Sequence, residues 1–263
     1  IIESESAFDD LFGINIISPS KVNKILNEIL EIDPKVLLVS INSQGGTVSA
    51  SNAIYEAFSK FKKKSRARVI FHTSEILASG GYWLSLSGEE IFASYGSIIG
   101  SIGVKGPDWI YFDSPKLMSS GFLGDTIEVN REIQVFSFNA GKSKDLFNSF
   151  RKPTKEELDH LKRMVNKIHN DFIQLVSKNR KIEKQIIKEE IGGLIFNSSQ
   201  AKNNFLINDE ISLDDLVNLV IKENQFKDFK VYKNLNEKNF IYDQLNALLF
   251  FMFNNYNNVN KNI

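Results

Sequence analysis

Short apolar runs and helical apolar stripes alternate along the first part of the chain. Apolar residues at helical spacing predict a surface helix over 19–32. The run 35–42 is apolar and rich in β-branched residues, and it stops at a pair of glycines, as a buried parallel strand does at a tight turn. Helical spacing returns over 47–62, and 68–72 predicts a second buried strand. This order of strand, helix and strand predicts parallel βαβ units and an α/β fold.

The middle of the chain changes from regular to irregular patterns. A turn into a short helix is predicted at 78–84, with strands near 90–93 and 98–104. Residues 106–150 are rich in Ser, Gly and Phe, and they contain one predicted strand at 134–138. We therefore expect this stretch to be less regular than the part before it.

A long amphipathic helix is predicted after Pro153. Thr154 and Glu157 have the spacing of a capping box at its start. The apolar positions that share one face of this helix are Leu158, Leu161, Met164, Val165, Ile168, Phe172, Leu175 and Val176. We interpret this face as core packed against the sheet. Later elements are predicted as helices at 184–190, 199–205 and 213–221 and a strand at 205–207.

The two ends of the chain differ in composition from the middle. The stretch up to about Phe12 is acidic and polar and predicts an exposed loop, while Asn, Lys and aromatic residues prevail after residue 224. We predict one main domain over 1–223, truncated at its N-terminal edge, and an appendage over 224–263 made of a strand and an amphipathic helix. Within the apolar run 247–253, residues 250–253 predict a packed helix or an oligomer contact, with a membrane-surface helix as the alternative. The whole run is seven residues long. It is far shorter than the ~20 residues that span a bilayer.

Charge and cysteine content exclude several classes of function. The 263 residues include 32 Lys and Arg and 32 Asp and Glu, a formal net charge of +0, and no basic stripe suits nucleic acid. Cysteine is absent, which excludes thiol catalysis, thiolate metal sites and disulfides. No pattern supports metal ligation. The chain opens on Ile1 without a visible signal segment, which is compatible with a removed leader or anchor.

Two glycine turns at predicted strand ends are the first features that suggest a catalytic site. Acyl transfer needs a nucleophile on a rigid turn and backbone N–H groups directed at the developing oxyanion. Gly45 and Gly46 leave room for a substrate carbonyl. Ser79 precedes Gly80 and Gly81 at the start of a predicted helix, whose dipole favours negative charge. The alternative is that both turns merely link strands to helices, because Ser-Gly-Gly alone is a weak motif.

A serine nucleophile also needs a base. His72 falls in a predicted buried strand, and His160 and His169 fall on the long helix, so we expect structural or surface roles for all three. A lysine can serve instead where burial keeps it neutral. Neither composition nor periodicity selects one lysine.

Four motifs in sequence order carry a resemblance to a known family. They are Ile41-Asn42-Ser43-Gln44-Gly45-Gly46, Ala78-Ser79-Gly80-Gly81-Tyr82, Gly100-Ser101-Ile102-Gly103-Val104 and Ala140-Gly141-Lys142-Ser143-Lys144-Asp145. In order and spacing these motifs resemble the signal peptide peptidase A family, which is related to the Clp protease and crotonase folds. The resemblance covers about 36–210, and it implies a Clp/crotonase-like spiral of βαβ units.

The resemblance implies a role for the residues of each motif. Ser79 is the implied nucleophile and Lys144 the implied general base. The amides of Gly46 and Gly80 are the implied oxyanion hole. Supporting roles are implied for Gly45, Gly81 and Ser101, and Ser101 is the candidate to hold the lysine.

The chain departs from the family pattern at several positions. Gln44 stands where a Pro is usual, which loosens a turn that carries an oxyanion donor. Leu77 and Trp83 also replace the usual residues and affect the packing around the serine. Lys142 is a nearby competitor of Lys144, but the family places its lysine directly before an Asp or an equivalent polar residue. The implied pair of serine and lysine is therefore intact.

The activity implied by the resemblance is that of a serine endopeptidase that forms an acyl-enzyme on Ser79. Its implied substrates are signal peptides or other short apolar peptides from membranes, and no cofactor is implied. We expect a homo-oligomeric ring, membrane association through a missing N-terminal segment, and a catalytic domain on the extracytoplasmic side of a bacterial or organellar membrane. The alternatives are a crotonase-like enzyme acting on acyl-CoA and an inactive homologue that only binds peptides.

Overall fold

The computed structural model describes most of the chain. Its described residues are 2–3, 16–112, 119–121, 124–126, 139–224, 229–234 and 249–255. The chain forms two compact units, a larger one of Ile1–Gly103 with Asn170–Ile263 and a smaller one of Val104–His169.

Helices and strands alternate through the larger unit. The helices are α1 (Pro19–Leu30), α2 (Val48–Ser65), α3 (Gly80–Ser85), α4 (Lys155–Arg180), which begins in the smaller unit, α5 (Lys184–Ile186), which continues as a π turn at Ile187–Ile191, α6 (Ser198–Asn203) and α7 (Leu213–Glu223). The strands are β1 (Val36–Ser40), β2 (Arg68–Thr73), β3 (Ile76–Ala78), β4 (Glu90–Ala93), β5 (Ile98–Gly100), β6 (Ser119–Gly121) and β7 (Gly124–Thr126) in the smaller unit, β8 (Ile195–Asn197), β9 (Asp209–Glu210), β10 (Phe229–Asn234) and β11 (Leu249–Asn255).

Parallel pairing builds the main sheet of the larger unit. β1 pairs with β2, β2 with β4 and β4 with β9, all in parallel, while β11 and β10 extend the sheet beyond β1 in antiparallel. A second sheet joins β3 to β5 in parallel and β5 to β8 in antiparallel. Because α2 connects the parallel strands β1 and β2, the predicted α/β class and its βαβ units are confirmed.

Burial and helix capping explain why these elements form where they do. Every residue of β1 is buried, as expected of a parallel strand covered on both faces. α1 follows Ser18, whose hydroxyl accepts a hydrogen bond from the Lys21 N–H. α2 follows Thr47, whose hydroxyl accepts one from the Ala50 N–H. These caps fix where each helix begins, and so where the segment between β1 and α2 must turn.

The C-terminal apolar run is a strand in the structure. β11 pairs with β1 on one side, where Phe251 lies opposite Leu38, and with β10 on the other. This pairing corrects the helix expected at 250–253, because a run rich in Phe suits a strand when a sheet edge is available to it. The boundary expected after residue 223 stays a prediction.

Several shorter predictions are also corrected. The strand expected at 205–207 is a turn. The strand that pairs with the side of β4 away from β2 is β9, slightly later in the chain. The strand expected at 98–104 ends at Gly100, where φ reaches +125°. Ile2, which the pattern placed in an exposed loop, is buried and pairs with Gly46. Residues 4–12 of that loop lie outside the described residues.

The smaller unit contains the start of α4. Thr154 and Glu157 form the predicted capping box, since the Glu157 N–H donates to Thr154 Oγ1 over 3.2 Å and the Thr154 N–H donates to Glu157 Oε2 over 2.9 Å. β6 and β7 pair in antiparallel. The strand predicted at 134–138 lies outside the described residues.

Candidate active site

Main-chain pairing places the first glycine turn beside the predicted nucleophile. The segment after β1 runs alongside β3, where the Ser43 N–H donates to Ile76 O over 2.7 Å. The Ala78 N–H donates in return to Ser43 O over 3.0 Å. Ser79 directly follows Ala78, so residues 43–46 lie next to it.

Ser79 has a backbone conformation that few residues with a side chain adopt. Its φ is 51° and its ψ is −121°. Its N–H donates to Gly100 O, and its carbonyl accepts from the Trp83 N–H, each over 2.9 Å. The side chain is half-buried and caps no helix N–H. The turn is therefore fixed by its main chain, while the hydroxyl is left available for chemistry.

Gly45 lies against Ser79, and only glycine fits its position. Its φ of +115° favours glycine over any residue with a side chain. A Cβ at residue 45 would lie 2.8 Å from Ser79 Cβ and 3.1 Å from Ser79 Oγ. The Gly45 N–H donates to Ser43 Oγ over 3.1 Å, which tightens the turn. This packing gives the predicted supporting role of Gly45 a physical basis.

The N–H groups of Gly46 and Gly80 lie close together beside Ser79. A Cβ on Gly80 would lie 3.2 Å from Gly46 N, and one on Gly45 would lie 3.0 Å from Gly80 N. Within the described part of the chain, neither N–H donates a hydrogen bond to another protein group. Gly80 opens α3, and the first N–H groups of a helix have no partner inside it. Two unengaged donors next to a serine hydroxyl are what an oxyanion hole requires.

The main chain of Ile2 runs along the other side of Gly46. The Ile2 N–H donates to Gly45 O over 2.9 Å, and the Thr47 N–H donates to Ile2 O over 2.8 Å. A Cβ on Gly46 would lie 2.0 Å from Ile2 O. Since the bonds to Ile2 come from the residues on either side of Gly46, the Gly46 N–H faces away from Ile2.

Gly80 and Gly81 are required by close contacts with two serines. A Cβ on Gly80 would lie 2.3 Å from the hydroxyl oxygen of Ser51, a buried residue of α2. A Cβ on Gly81 would lie 2.8 Å from Ser43 O. α3 can therefore approach the first glycine turn only because its first two residues lack side chains.

Ser101 occupies the position after β5 that Ser79 occupies after β3. Its φ is 54°, close to the 51° of Ser79, and its side chain is half-buried. Its N–H donates to Leu194 O over 2.7 Å, and its carbonyl accepts from the Gly103 N–H over 2.8 Å. Both serines thus follow the carboxyl ends of neighbouring parallel strands. The role of Ser101 in holding a lysine stays a prediction.

The two lysines of the fourth motif have different surroundings. Lys142 Nζ bonds to both carboxylate oxygens of Glu156, at 2.7 and 2.8 Å. Together with His160 and Arg163, Lys142 lines a cavity of about 290 Å³. Lys144 is exposed, and its ammonium forms no ion pair with the residues that the structure describes. Lys144 is therefore the lysine left available to another group.

His72 lies in β2 and is buried, as predicted. Its Nε2 is 3.1 Å from Ile211 O and 3.3 Å from Ser94 Oγ. Its Nδ1 has no hydrogen-bond partner among the described residues. Burial lowers the pKa of His72 below its ordinary value. A neutral ring enclosed in the sheet fits the structural role expected of it.

Three residues that shape the site were missed by sequence reasoning. Ser43 lies in the first motif, but no role was predicted for it. It carries a usable signal, because loop residues that follow a buried strand are frequent positions for functional groups. Ser51 is a small polar residue on the apolar face of α2, which is a weaker signal of close packing. Ile2 gives no signal, since its partners lie far along the chain.

Neither a metal centre nor a membrane span is found in the described ranges. No group of three or more His, Cys, Asp or Glu side chains in those ranges could hold a metal ion. No helix in them combines the length and the apolar character needed to cross a bilayer.

Comparison with known proteins relates this site to a family. The model of peptidase family S49 matches residues 61–227. The chain belongs to peptidase family S49. The matched residues include Ser79, Ser101 and Lys144, so three of the four motifs lie inside the match. The resemblance that the motifs carry is confirmed at the level of the family.

Named relatives agree with this assignment. A protein of Methanocaldococcus jannaschii, named as a candidate protease, is 31% identical over 188 residues, which are 71% of this chain and 55% of that protein. A protein of Enterococcus faecium, named as a candidate signal peptide peptidase, is 28% identical over 204 residues, which are 76% of this chain and 55% of that protein. The chain thus spans about half the length of these curated relatives. Among solved structures, a mutant ClpP1 from Listeria monocytogenes aligns with a TM-score of 0.48 and 15% identity, over 75% of this chain and 85% of that one.

Proposed function

We propose that this chain is a serine endopeptidase that cleaves peptide bonds through an acyl-enzyme on Ser79. The observation that carries the proposal is the pair of unengaged N–H groups, those of Gly46 and Gly80, beside a serine held in a strained turn. Membership of a peptidase family supports peptide bonds as the target over other acyl groups.

The proposed reaction has two halves. Ser79 Oγ adds to the scissile carbonyl while its proton passes to the neutral amine of Lys144, and the Gly46 and Gly80 amides stabilise the oxyanion. Lys144 then gives that proton to the leaving nitrogen as the C–N bond breaks. A water molecule, deprotonated by Lys144, attacks the ester, and the new acid leaves as Ser79 regains its proton.

The proposed substrates are short apolar peptides such as signal peptides. The name of the Enterococcus faecium relative supports this substrate class. We also propose a homo-oligomeric ring in which Lys144 of one subunit serves Ser79 of its neighbour, which is supported by the exposed, unengaged state of Lys144. Membrane association and an extracytoplasmic location belong to the same proposal. The reaction as written needs no cofactor.

Covalent labelling tests the nucleophile. A fluorophosphonate probe should label the folded chain at Ser79, located by mass spectrometry, and should not label Ser79→Ala. The matched control Ser59→Ala, on α2, should label like the wild type. A folded wild-type chain that takes up no label would contradict a nucleophilic Ser79. The protein would then be better explained as an enzyme acting on acyl-CoA or as a peptide-binding protein without turnover.

Peptide turnover tests the base. Lys144→Ala should abolish turnover, and Lys142→Ala should not.

Mixed assemblies test the ring. Ser79→Ala and Lys144→Ala subunits, each inactive alone, should recover partial activity when unfolded and refolded together, because some interfaces then join an intact serine to an intact lysine. Sedimentation should place the mixed species at the size of the wild-type assembly. A mixed assembly of that size without activity would place the serine and the lysine in one subunit.

A further inference from the structure

The turn that carries Lys144 is tied to a charged pair, Arg151 and Glu157, through Asp145. On one side, Asp145 accepts two hydrogen bonds from Arg151, from Nε at 2.6 Å and from Nη2 at 2.8 Å. On the other side, Ser143 makes a small contribution to the lowered pKa of the Glu157 carboxyl. Arg151 and Glu157 are joined in turn by Nη1 to Oε2 at 2.9 Å and by Nη2 to Oε1 at 2.8 Å. The turn 143–145 is thereby fastened to the start of α4.

Glu157 is a buried charge whose oxygens are engaged. Its side chain is 6% exposed, against 29% for Arg151. It also accepts the Thr154 N–H in the first turn of α4, where the helix dipole favours a carboxylate. The hydrogen bond from Arg151, followed by that from the Thr154 backbone, holds the pKa of Glu157 far below its usual range. A carboxylate that stays charged in such a place depends on its guanidinium partner.

Arg151 uses the planar shape of its guanidinium in these contacts. Its Nε and both terminal nitrogens donate, and the ring of Trp109 lies 5.2 Å from its Cζ. Trp109 Nε1 also donates to Asn148 O over 3.2 Å. Trp109 therefore contacts both the guanidinium of Arg151 and the main chain shortly before Arg151. A lysine at position 151 would keep the charge but could not reproduce this forked, stacked arrangement.

Lys144 itself depends on its main chain for its position. Its ammonium forms no ion pair with the described residues, whereas Lys142 is held by its own bonds to Glu156. We propose that Arg151, together with Glu157, is a positioning residue that fixes the turn 143–145 and so presents Lys144 for catalysis. This inference rests on the proposed role of Lys144 as the base.

Steady-state kinetics on an internally quenched apolar peptide give the first test. Arg151→Ala should lower kcat by ~10- to 100-fold with little change in KM, because a misplaced catalytic group slows the chemical step. Arg151→Lys should stay close to the alanine variant. The matched control Lys105→Ala removes an exposed ion pair with Asp108 in the same unit and should keep the wild-type kcat. Full rescue by lysine, or a wild-type kcat in Arg151→Ala, would overturn the proposal.

Limited proteolysis tests the turn without relying on activity. In a Ser79→Ala background, Arg151→Ala should raise Lys-C cleavage after Lys144 several-fold, while cleavage after Lys178 on α4 stays constant. Unchanged cleavage after Lys144 would overturn the proposal even if kcat falls. Failure of the proposed function has a different signature, since Lys144→Ala would then keep its turnover whatever the cleavage pattern. Should Arg151→Ala fail to fold, Glu157→Gln, which retains the side-chain shape, should shift both readouts in the same direction.

Discussion

The turn that carries Ser79 and the turn that carries Lys144 are held by different kinds of contact. Around Ser79 the contacts are main-chain hydrogen bonds and close packing against glycines. At Gly45, for example, an added Cβ would lie less than 3 Å from Ser79. Around Lys144 the contacts are charged side chains, with Arg151 at the centre. Strand pairing holds the first turn, whereas ion pairs between half-buried and buried side chains hold the second.

This difference predicts different weaknesses. Main-chain bonds between uncharged groups are insensitive to salt and to pH, but an added side chain disrupts them. Ion pairs tolerate changes in nearby volume, but they fail when one charge is removed. The two halves of the proposed catalytic pair should therefore respond to different substitutions and conditions.

The largest effect is expected from a side chain at Gly46. The Cβ of Gly46→Ala would lie 2.0 Å from Ile2 O, so the turn must move and its N–H would leave the oxyanion position. We expect kcat/KM to fall by ~10²-fold or more, as on loss of an oxyanion donor. Gly193→Ala is the matched control, because a Cβ there meets nothing within 4 Å. Wild-type kinetics in Gly46→Ala would remove this turn from the mechanism.

A second, smaller effect is expected on stability from position 51. Ser51 packs closely against Gly80, since a Cβ added at Gly80 would lie only 2.3 Å from Ser51 Oγ. The larger side chain of Ser51→Val should therefore collide with Gly80. Overpacking of this kind should cost about 1–3 kcal/mol of unfolding free energy in urea denaturation. Ser49→Val, at an exposed position of the same helix, should change it far less. Equal losses in the two variants would contradict close packing at Gly80.

Acid should affect the larger unit before it affects the Lys144 turn. Burial lowers the pKa of His72 from its ordinary 6.5, so the unfolded chain binds this proton more readily. The stability that the neutral ring supplies is complete above pH 6.5 and is lost as the pH falls below that value. Bonds from Arg151 lower the pKa of Asp145 and Glu157 from their ordinary 3.8 and 4.5, so their contribution is complete above pH 4.5 and is lost on further acidification.

Two measurements between pH 6.5 and 4.5 separate these effects. We expect Tm to fall across this interval while amide hydrogen exchange at 143–145, corrected for its intrinsic pH dependence, keeps the same protection. His160→Gln should show the wild-type dependence of Tm on pH. Loss of protection at 143–145 above pH 4.5 would show that the charged contacts are weaker than the geometry indicates.

The smallest effect is expected at Gln44, the position at which the resemblance described above implies that a proline is usual. The Gln44 N–H donates to no described residue, so a proline removes no hydrogen bond there. Gln44→Pro should leave kcat unchanged and raise stability by ~0.4–1 kcal/mol through a more restricted unfolded chain. A loss of stability would mean that φ at residue 44 is incompatible with a proline ring.

Prediction from sequence succeeded where the relevant information is local. The period of apolar residues located β1, α2 and α4 to within a few residues, and the capping box at Thr154 marked the start of α4. The first two motifs indicated the residues of the Ser79 turn, because each of these motifs is a short continuous segment. Such segments carry their own turn geometry, which glycine requirements make visible in the sequence.

Contacts between distant segments could not be predicted in this way. The pairing of Ile2 with Gly46 leaves no mark in either segment, since any residue can supply main-chain groups. Arg151 is one charged residue among many, and only the structure reveals that its partners are Asp145 and Glu157. The helix expected at 250–253 was wrong for a related reason, because an apolar segment forms a strand when an unpaired sheet edge is available.

The position of Gly45 has a consequence for reading the sequences of relatives. Two separate constraints, a φ of +115° and the closeness of Ser79, exclude every side chain there, so no single replacement satisfies both. A lineage that loses this glycine should lose catalysis in one mutational step, while its serine persists as a relic. A homologue with an intact serine and lysine but another residue at the position of Gly45 is thus expected to have evolved away from hydrolysis.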